Sequence, residues 1–333
     1  MVKKYTIIST FAGGGGSSLG YKMAGFDELL AIDFDKNAIE TLKLNYNFPV
    51  WERNIKTVSG KEILDFCKLN IGDLDILDGS PPCQGFSTVG KRNVTDNRND
   101  LFLDYSRLIS ELKPKVFVME NVSGMIKGTF KGKFNEILSY LKNLGYNVKC
   151  KLMNAMWYEV PQSRERVIFI GVRNDLNIEP SFPKPFTKVI TVKEAIKDCP
   201  LSEIKIPKGD VDLYFDKIKV GFDLASYYES IGKKRKSFSI KKINPNKPLN
   251  TITKLFSASM TGLLHWNEKR YLTINELKRC STFPDEYKFI GKFEQQWARI
   301  GNAVMPKMMY HIANNIKLNI LDLYYNNLIK KVS

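Results

Sequence analysis

The chain has 333 residues with 43% hydrophobic content, enough core for one large domain or two unequal ones, and a formal net charge of +16. Five cysteines without a CxxC pair and only two histidines exclude a disulfide framework and a zinc site, and they indicate a reducing compartment. The basic excess favours a polyanionic partner, most simply nucleic acid.

The opening "MVKKYTIISTFAGGGG" imitates a signal peptide, but its apolar run is short and meets a glycine cluster, so it reads as a first strand. No stretch approaches the roughly 18 apolar residues of a membrane span, and the expectation is a soluble, intracellular protein. After "YTIIST" the pattern predicts a helix in "SSLGYKMAG", a strand in "ELLAIDFD" and a helix in "KNAIETLKLNY". "LDILDG", "KVFVMEN", "NVKCKLMNA" and "RVIFIGVR" read as further strands, and "LFLDYSRLISEL" and "FNEILSYLKNLG" as helices between them. This alternation predicts an α/β fold with a doubly wound, mostly parallel sheet.

Past about Arg173 the texture changes: "NDLNIEPSFPKPF" is proline-rich, and residues 205–250 are irregular and basic. Helical periodicity returns from "RYLTINELKRCSTFP" onward, and the stripe Met309, Ile312, Ile316 and Ile320 reads as core. Three segments are therefore expected: a catalytic, cofactor-binding domain over 1–180, a smaller, irregular, β-rich domain over 186–272, and a return to the catalytic domain over 273–333.

"FAGGGGSSLG" follows the first strand and opens a helix, so its backbone turns sharply and the helix end presents free N–H groups. Asp33 ends the second strand about twenty residues beyond Gly13, where doubly wound folds place a carboxylate that accepts from ribose hydroxyls. The pattern fits NAD, FAD or S-adenosylmethionine, without a clean GxGxxG fingerprint.

Three further stretches lie at one sheet edge if the strands are right. Cys83 leaves "LDILDG" through "SPPC", Glu120 and Asn121 end "KVFVMEN", and Gln162, Arg164 and Arg166 precede "VIFIGV". A thiol, a carboxyl and a guanidinium together suit one reaction. A thiolate added at carbon 6 of a cytosine makes carbon 5 nucleophilic towards a methyl donor. A carboxyl group at ring nitrogen 3 acts as the acid, and an arginine holds the base and favours the thiolate. Cys67, Cys150, Cys199 and Cys280 read as packing.

"FAGGGGSSLGYKMAGF", "GSPPCQGFS", "MENV", "QSRERVIFIGVR" and "GNAVMP" resemble, in order, the motifs of DNA (cytosine-5) methyltransferases of the bacterial restriction–modification type. The resemblance runs from Phe11 to about Pro306. It implies Cys83 as nucleophile, Glu120 as acid, and Arg164 and Arg166 as base-positioning and site-organising residues. It implies contacts to S-adenosylmethionine from Phe11, Gly14, Gly16, Asp33, Phe34, Ile55, Ser80, Pro82, Leu101 and Asn302, with S-adenosylhomocysteine as the product. Asn54 stands where family members often carry an aspartate that contacts the adenine.

"QGFSTVGKRNVTDNRND" resembles the family's mobile catalytic loop, with Gly85 and Gly90 as hinges and Lys91, Arg92 and Arg98 as phosphate-seeking charges. Residues 186–272 stand where the family holds its target-recognition domain, with "NTITKLFSASMTGLLHW" the candidate reader of base edges. The lysine-rich run 233–236 suits backbone contact. The implied enzyme uses no metal and acts as a monomer on double-stranded DNA, extruding its cytosine. A companion endonuclease acts independently, in the cytoplasm of a bacterium or a phage-infected cell. The rival readings are a tRNA cytosine-5 methyltransferase, a catalytically silent DNA-binding regulator and a nicotinamide-dependent oxidoreductase.

Overall fold

The structure is a computed structural model that describes residues 4–82, 100–126, 131–234 and 239–332. Cys83, the loop residues Gly85 to Arg98, and Arg235 and Lys236 of the lysine-rich run lie outside the described residues. The chain divides into two compact units, the first made of 1–154, 165–184 and 308–333, the second of 155–164 and 185–307.

In the first unit, strands and helices alternate as β1 (Thr6–Thr10), α1 (Gly16–Met23), β2 (Asp27–Asp33), α2 (Lys36–Asn45), β3 (Val50–Glu52) and α3 (Gly60–Cys67). They continue as β4 (Ile76–Gly79), α4 (Asp100–Leu112), β5 (Val116–Val122), α5 (Lys131–Asn143) and β6 (Tyr146–Asn154). After the two-residue β7 (Gln162–Ser163), which belongs to the second unit, β8 (Glu165–Arg173) completes a seven-stranded sheet ordered β3-β2-β1-β4-β5-β8-β6. β8 runs antiparallel to both neighbours, and the other pairings are parallel. All of β4 and Val116–Asn121 of β5 are buried, as strands covered on both faces must be.

Sequence periodicity missed β3 and α3. The first has three residues, too few for a pattern. The second is announced by its cap: Ser59 accepts from the Glu62 N–H while the Glu62 carboxylate accepts from the Ser59 N–H.

Gly171 of β8 stands opposite Phe117 of β5, and a Cβ there would meet the Phe117 ring at 2.0 Å. The ring is fully buried, so it has little room to yield. Gly171→Ala is expected to destabilise the protein by about 1–3 kcal/mol in a denaturant titration. An unchanged midpoint would contradict this packing.

The second unit is irregular, as expected, with short helices α6 (Val192–Ala195), α7 (Asp210–Tyr214) and α8 (Leu224–Ser230). Among the described residues its strands form two parallel ladders: β9 (Ser239–Lys242) pairs with β11 (Thr261–Leu264), and β10 (Leu249–Asn250) pairs with β7. Helices α9 (Ile274–Cys280) and α10 (Phe293–Asn302) also belong to this unit. Return to the first unit comes at Met308, where the sequence alone places it at 273. One cause is a buried fork across that expected boundary: Arg270 donates to Glu276 at 2.8 and 2.9 Å, and Glu276 also caps α9 through Thr273.

Helix α11 (Pro306–Ile316), a π-turn over Lys317–Leu321 and α12 (Asp322–Val332) follow. Met309, Ile312, Ile316 and Ile320 are all fully buried. The Tyr325 hydroxyl donates to Asp75 at 2.6 Å, its ring stacks on Tyr5 at 5.5 Å, and the Tyr5 hydroxyl donates to Asp322. The closing helix thus lies beside the first strand. No helix among the described residues is long and apolar enough to cross a membrane.

Candidate active site

The carboxyl edge of the first unit's sheet collects the ends of β1, β2, β4 and β5. Because β8 is antiparallel, its beginning lies at that same edge. Open α/β sheets bind their ligands at that edge.

Around the end of β1 the backbone turns sharply. Gly13 and Gly15 adopt positive φ, and so does Phe11, a non-glycine residue held at φ 53°. Such a conformation costs energy and persists where a site requires it. Asp33 fixes the turn: one carboxylate oxygen accepts from the Gly13 N–H at 2.7 Å and the other from the Asp35 N–H at 2.9 Å. Gly14 and Gly16 are buried within the turn and the first residue of α1.

Beside the turn opens a cavity of about 450 Å³, within the range of small-molecule sites. Phe11, Asp33, Phe34, Asn54, Ile55 and Leu101 line it, so six of the sequence-derived cofactor residues share one wall. Phe34 is 69% exposed, a phenyl face presented to solvent beside a carboxylate. Asn54 Oδ1 accepts from the Lys56 N–H at 3.1 Å, which caps the 3-10 turn Ile55–Thr57. Arg53 and Lys56 also line the cavity and were missed; their signal is adjacency to Asn54. An apolar wall, a carboxylate at the end of β2 and a glycine turn fit an adenosyl group. Phe34→Ala is expected to raise the KM for such a donor about tenfold with kcat little changed, read by initial rates. An unchanged KM would remove Phe34 from the site.

Ser80 and Pro82 follow β4 at the same edge, half-buried and exposed respectively. The Asn121 amide donates to the Pro81 carbonyl at 2.9 Å and so holds the chain two residues before Cys83 from the end of β5. Glu120 is nine-tenths buried and pairs with Arg166, Oε1 to Nε at 2.5 Å. The register explains the pair. Val122 stands opposite Arg166, and Glu120, two residues earlier on the same face, is its diagonal neighbour.

Arg164 serves the second unit. Fully buried, it donates to the carbonyls of Ile252 at 3.2 Å and Gly301 at 2.8 Å. Gln162 acts similarly, accepting from the Ile252 N–H and donating to Ser281. Asn302 ends α10 in that unit, and its side chain is exposed. Cys67, Cys150 and Cys199 are half-buried and Cys280 is buried, and burial raises each thiol's pKa, so none is a ready thiolate.

The chain is similar to known proteins. The family model described as C-5 cytosine-specific DNA methylase matches residues 5–318. The type II methyltransferase M.Sau96I of Staphylococcus aureus is 34% identical, over 94% of this chain and 76% of its own. The type II methyltransferase M.PspPI of Psychrobacter is 35% identical, over 94% and 79%. Among solved structures, a DNA modification methyltransferase encoded within an E. coli prophage has a TM-score of 0.73 at 25% identity, covering 96% of this chain and all of its own. A DNMT2 of Spodoptera frugiperda shares the fold, with a TM-score of 0.69 at 20% identity over 97% of this chain and all of its own. The chain therefore belongs to the C-5 cytosine-specific DNA methylase family and is a DNA cytosine-5 methyltransferase.

Proposed function

We propose that this enzyme methylates a cytosine extruded from a short, specific duplex site, with S-adenosylmethionine as donor and Cys83 as the covalent nucleophile. The observation that carries the reading is the buried Glu120–Arg166 pair, at the edge where β4 runs through Pro81 and Pro82 into Cys83. The donor, when bound, supplies an electrophilic methyl group. The protein's own groups make the base receptive. The Cys83 thiolate adds to carbon 6, and Glu120 hydrogen-bonds ring nitrogen 3 as negative charge develops there. Arg166 holds the Glu120 carboxyl in place and adds positive charge at the ring. Once carbon 5 carries the methyl group, its proton passes to a water molecule as the carbon 6–sulfur bond breaks, which releases the Cys83 thiolate and restores the ring. Arg164 organises the second unit, which stands where the target is read. Asp33, Phe11, Phe34, Asn54, Ile55 and Leu101 hold the donor, with Gly14, Gly16, Ser80 and Pro82 completing its contacts.

Extruding a base costs a few kcal/mol, which phosphate contacts offset. The net charge of +16 supplies those contacts. DNA affinity is therefore expected to fall about a thousandfold between about 50 and about 200 mM salt, read by fluorescence anisotropy. A flat titration would contradict the electrostatic reading. The named relatives are type II methyltransferases, which supports an enzyme of a restriction–modification system. Bisulfite sequencing of DNA from a host expressing the chain tests the function directly: 5-methylcytosine at one short site is expected. Unmethylated DNA, with methylated tRNA in the same cells, would overturn it.

A further inference from the structure

Three residues of the cavity wall, Asn54, Ile55 and Lys56, lie beyond any strand. β3 is the edge of the sheet, and its pairing with β2 ends where the Arg53 N–H donates to the Asp33 carbonyl at 2.9 Å. Two backbone bonds shape the 3-10 turn that follows. The Thr57 N–H donates to the Asn54 carbonyl at 2.9 Å, and the Val58 N–H to the Ile55 carbonyl at 3.2 Å. Both are internal, so they fix the curl of the turn and not its place. Its apolar underside, Ile55 and Val58, is buried in the same core as Leu108 of α4. Apolar burial is non-directional and does not set the tilt of so short a turn.

Direction comes from α4. Arg107 Nη2 donates to the Ile55 carbonyl at 3.1 Å and, with Val58, fills both of its lone pairs. Nη1 of the same guanidinium meets both carboxylate oxygens of Glu111 at 3.2 Å. Asp104 stands 3.6 Å from Nη2, so an acid lies one turn to either side of Arg107. Glu111 in turn accepts from the N–H of Gly60, the first residue of α3. Only a glycine fits there, since a Cβ would lie 2.5 Å from the Glu111 Cβ. The planar fork of an arginine, clamped between two acids, holds its remaining donor on a fixed line. Leu101, at the beginning of the same helix, lines the cavity itself.

We infer that Arg107 is a positioning residue for the methyl donor: its fork ties the Ile55 turn to α4 and so holds Asn54, Ile55 and Lys56 with Leu101 as one cavity wall. The inference rests on reading that cavity as the donor site. Arg107 does not line the cavity and acts through the Ile55 backbone. Without it the turn keeps its internal bonds, but its wall takes more than one placement. The donor then selects the competent fraction and binds more weakly.

Titration calorimetry of the full chain with S-adenosylhomocysteine tests this on wild type, Arg107→Met and Arg107→Lys, with Phe34→Ala as the control within the cavity. Met keeps the stem and loses every donor, whereas Lys keeps the charge and loses the fork. Arg107→Met is expected to raise the Kd about tenfold and Arg107→Lys about threefold. In initial rates, Arg107→Met is expected to raise the donor KM by the same factor, with kcat at saturating donor within about twofold of wild type. Exchange of the Thr57 and Val58 amides is expected to quicken in Arg107→Met and to slow again when S-adenosylhomocysteine is added. An arginine that serves stability alone gives another pattern: the bound stoichiometry falls with the folded fraction while the Kd stays at the wild-type value. That pattern, or an unchanged Kd in Arg107→Met while Phe34→Ala binds weakly, overturns the inference. Wild-type binding by both variants would sink the donor-site reading, and the inference with it. Should Arg107→Met not fold, Arg107→Lys and Glu111→Gln decide: a Kd raised about threefold in each upholds the inference, and a wild-type Kd overturns it.

Discussion

Cys83→Ala is expected to abolish methyl transfer and to leave DNA binding within about threefold of wild type, measured by tritium incorporation and mobility shift. The asymmetry follows from chemistry. Without the thiolate, carbon 5 of the ring is no nucleophile, and no neighbouring group replaces it. Phosphate binding draws on charge spread over the whole chain and does not depend on one sulfur. The same variant is expected to form no trapped adduct with a 5-fluorocytosine duplex, while wild type is captured. Turnover by the alanine enzyme would end the covalent reading.

Glu120→Gln is expected to lower kcat by about 10²–10⁴, with DNA affinity little changed. The amide keeps the carboxyl's shape but forms no ion pair with Arg166 and transfers no proton to the ring. It also leaves a guanidinium that is only 14% exposed without its anion, so a loss of stability accompanies the loss of rate. The two are separable. Thermal melting at the assay pH reports the folded fraction, and Arg166→Lys keeps the charge but loses the fork. If kcat falls only in proportion to the folded fraction, Glu120 is a structural acid and its chemical role is refuted.

Much of the site was legible because its residues sit at strand ends. Glu120 ends a continuous apolar run and Asp33 ends another, and a glycine cluster between strand and helix has few structural readings. Six cofactor residues then share one cavity wall because β1 and β2 are neighbours and the turn after β3 folds beside them. Arg164 and Arg166 were not separable in this way. Two residues apart, they look equivalent to any pattern of period two. Arg164's partners lie 88 and 137 positions away in the chain, whereas Arg166 meets an acid one strand over.

The reversed direction of β8 was equally hidden, since a short apolar run carries no arrow. It is that reversal that brings Arg166 to the edge where Glu120 ends. The boundary at 273 was misplaced for a related reason: a buried Arg270–Glu276 fork reads in sequence as two surface charges.

The sequence by itself determined the alternation of strands and helices, the glycine turn with its carboxylate, and the order of motifs that identifies the chemistry. All of these are local, written within a few residues by backbone preference and periodicity. Tertiary structure alone decided which arginine faces the acid, which unit each helix joins, and which carboxyls are shut away from water. Those depend on distant segments meeting, and the energy of a charge is set by what surrounds it rather than by its neighbours in the chain.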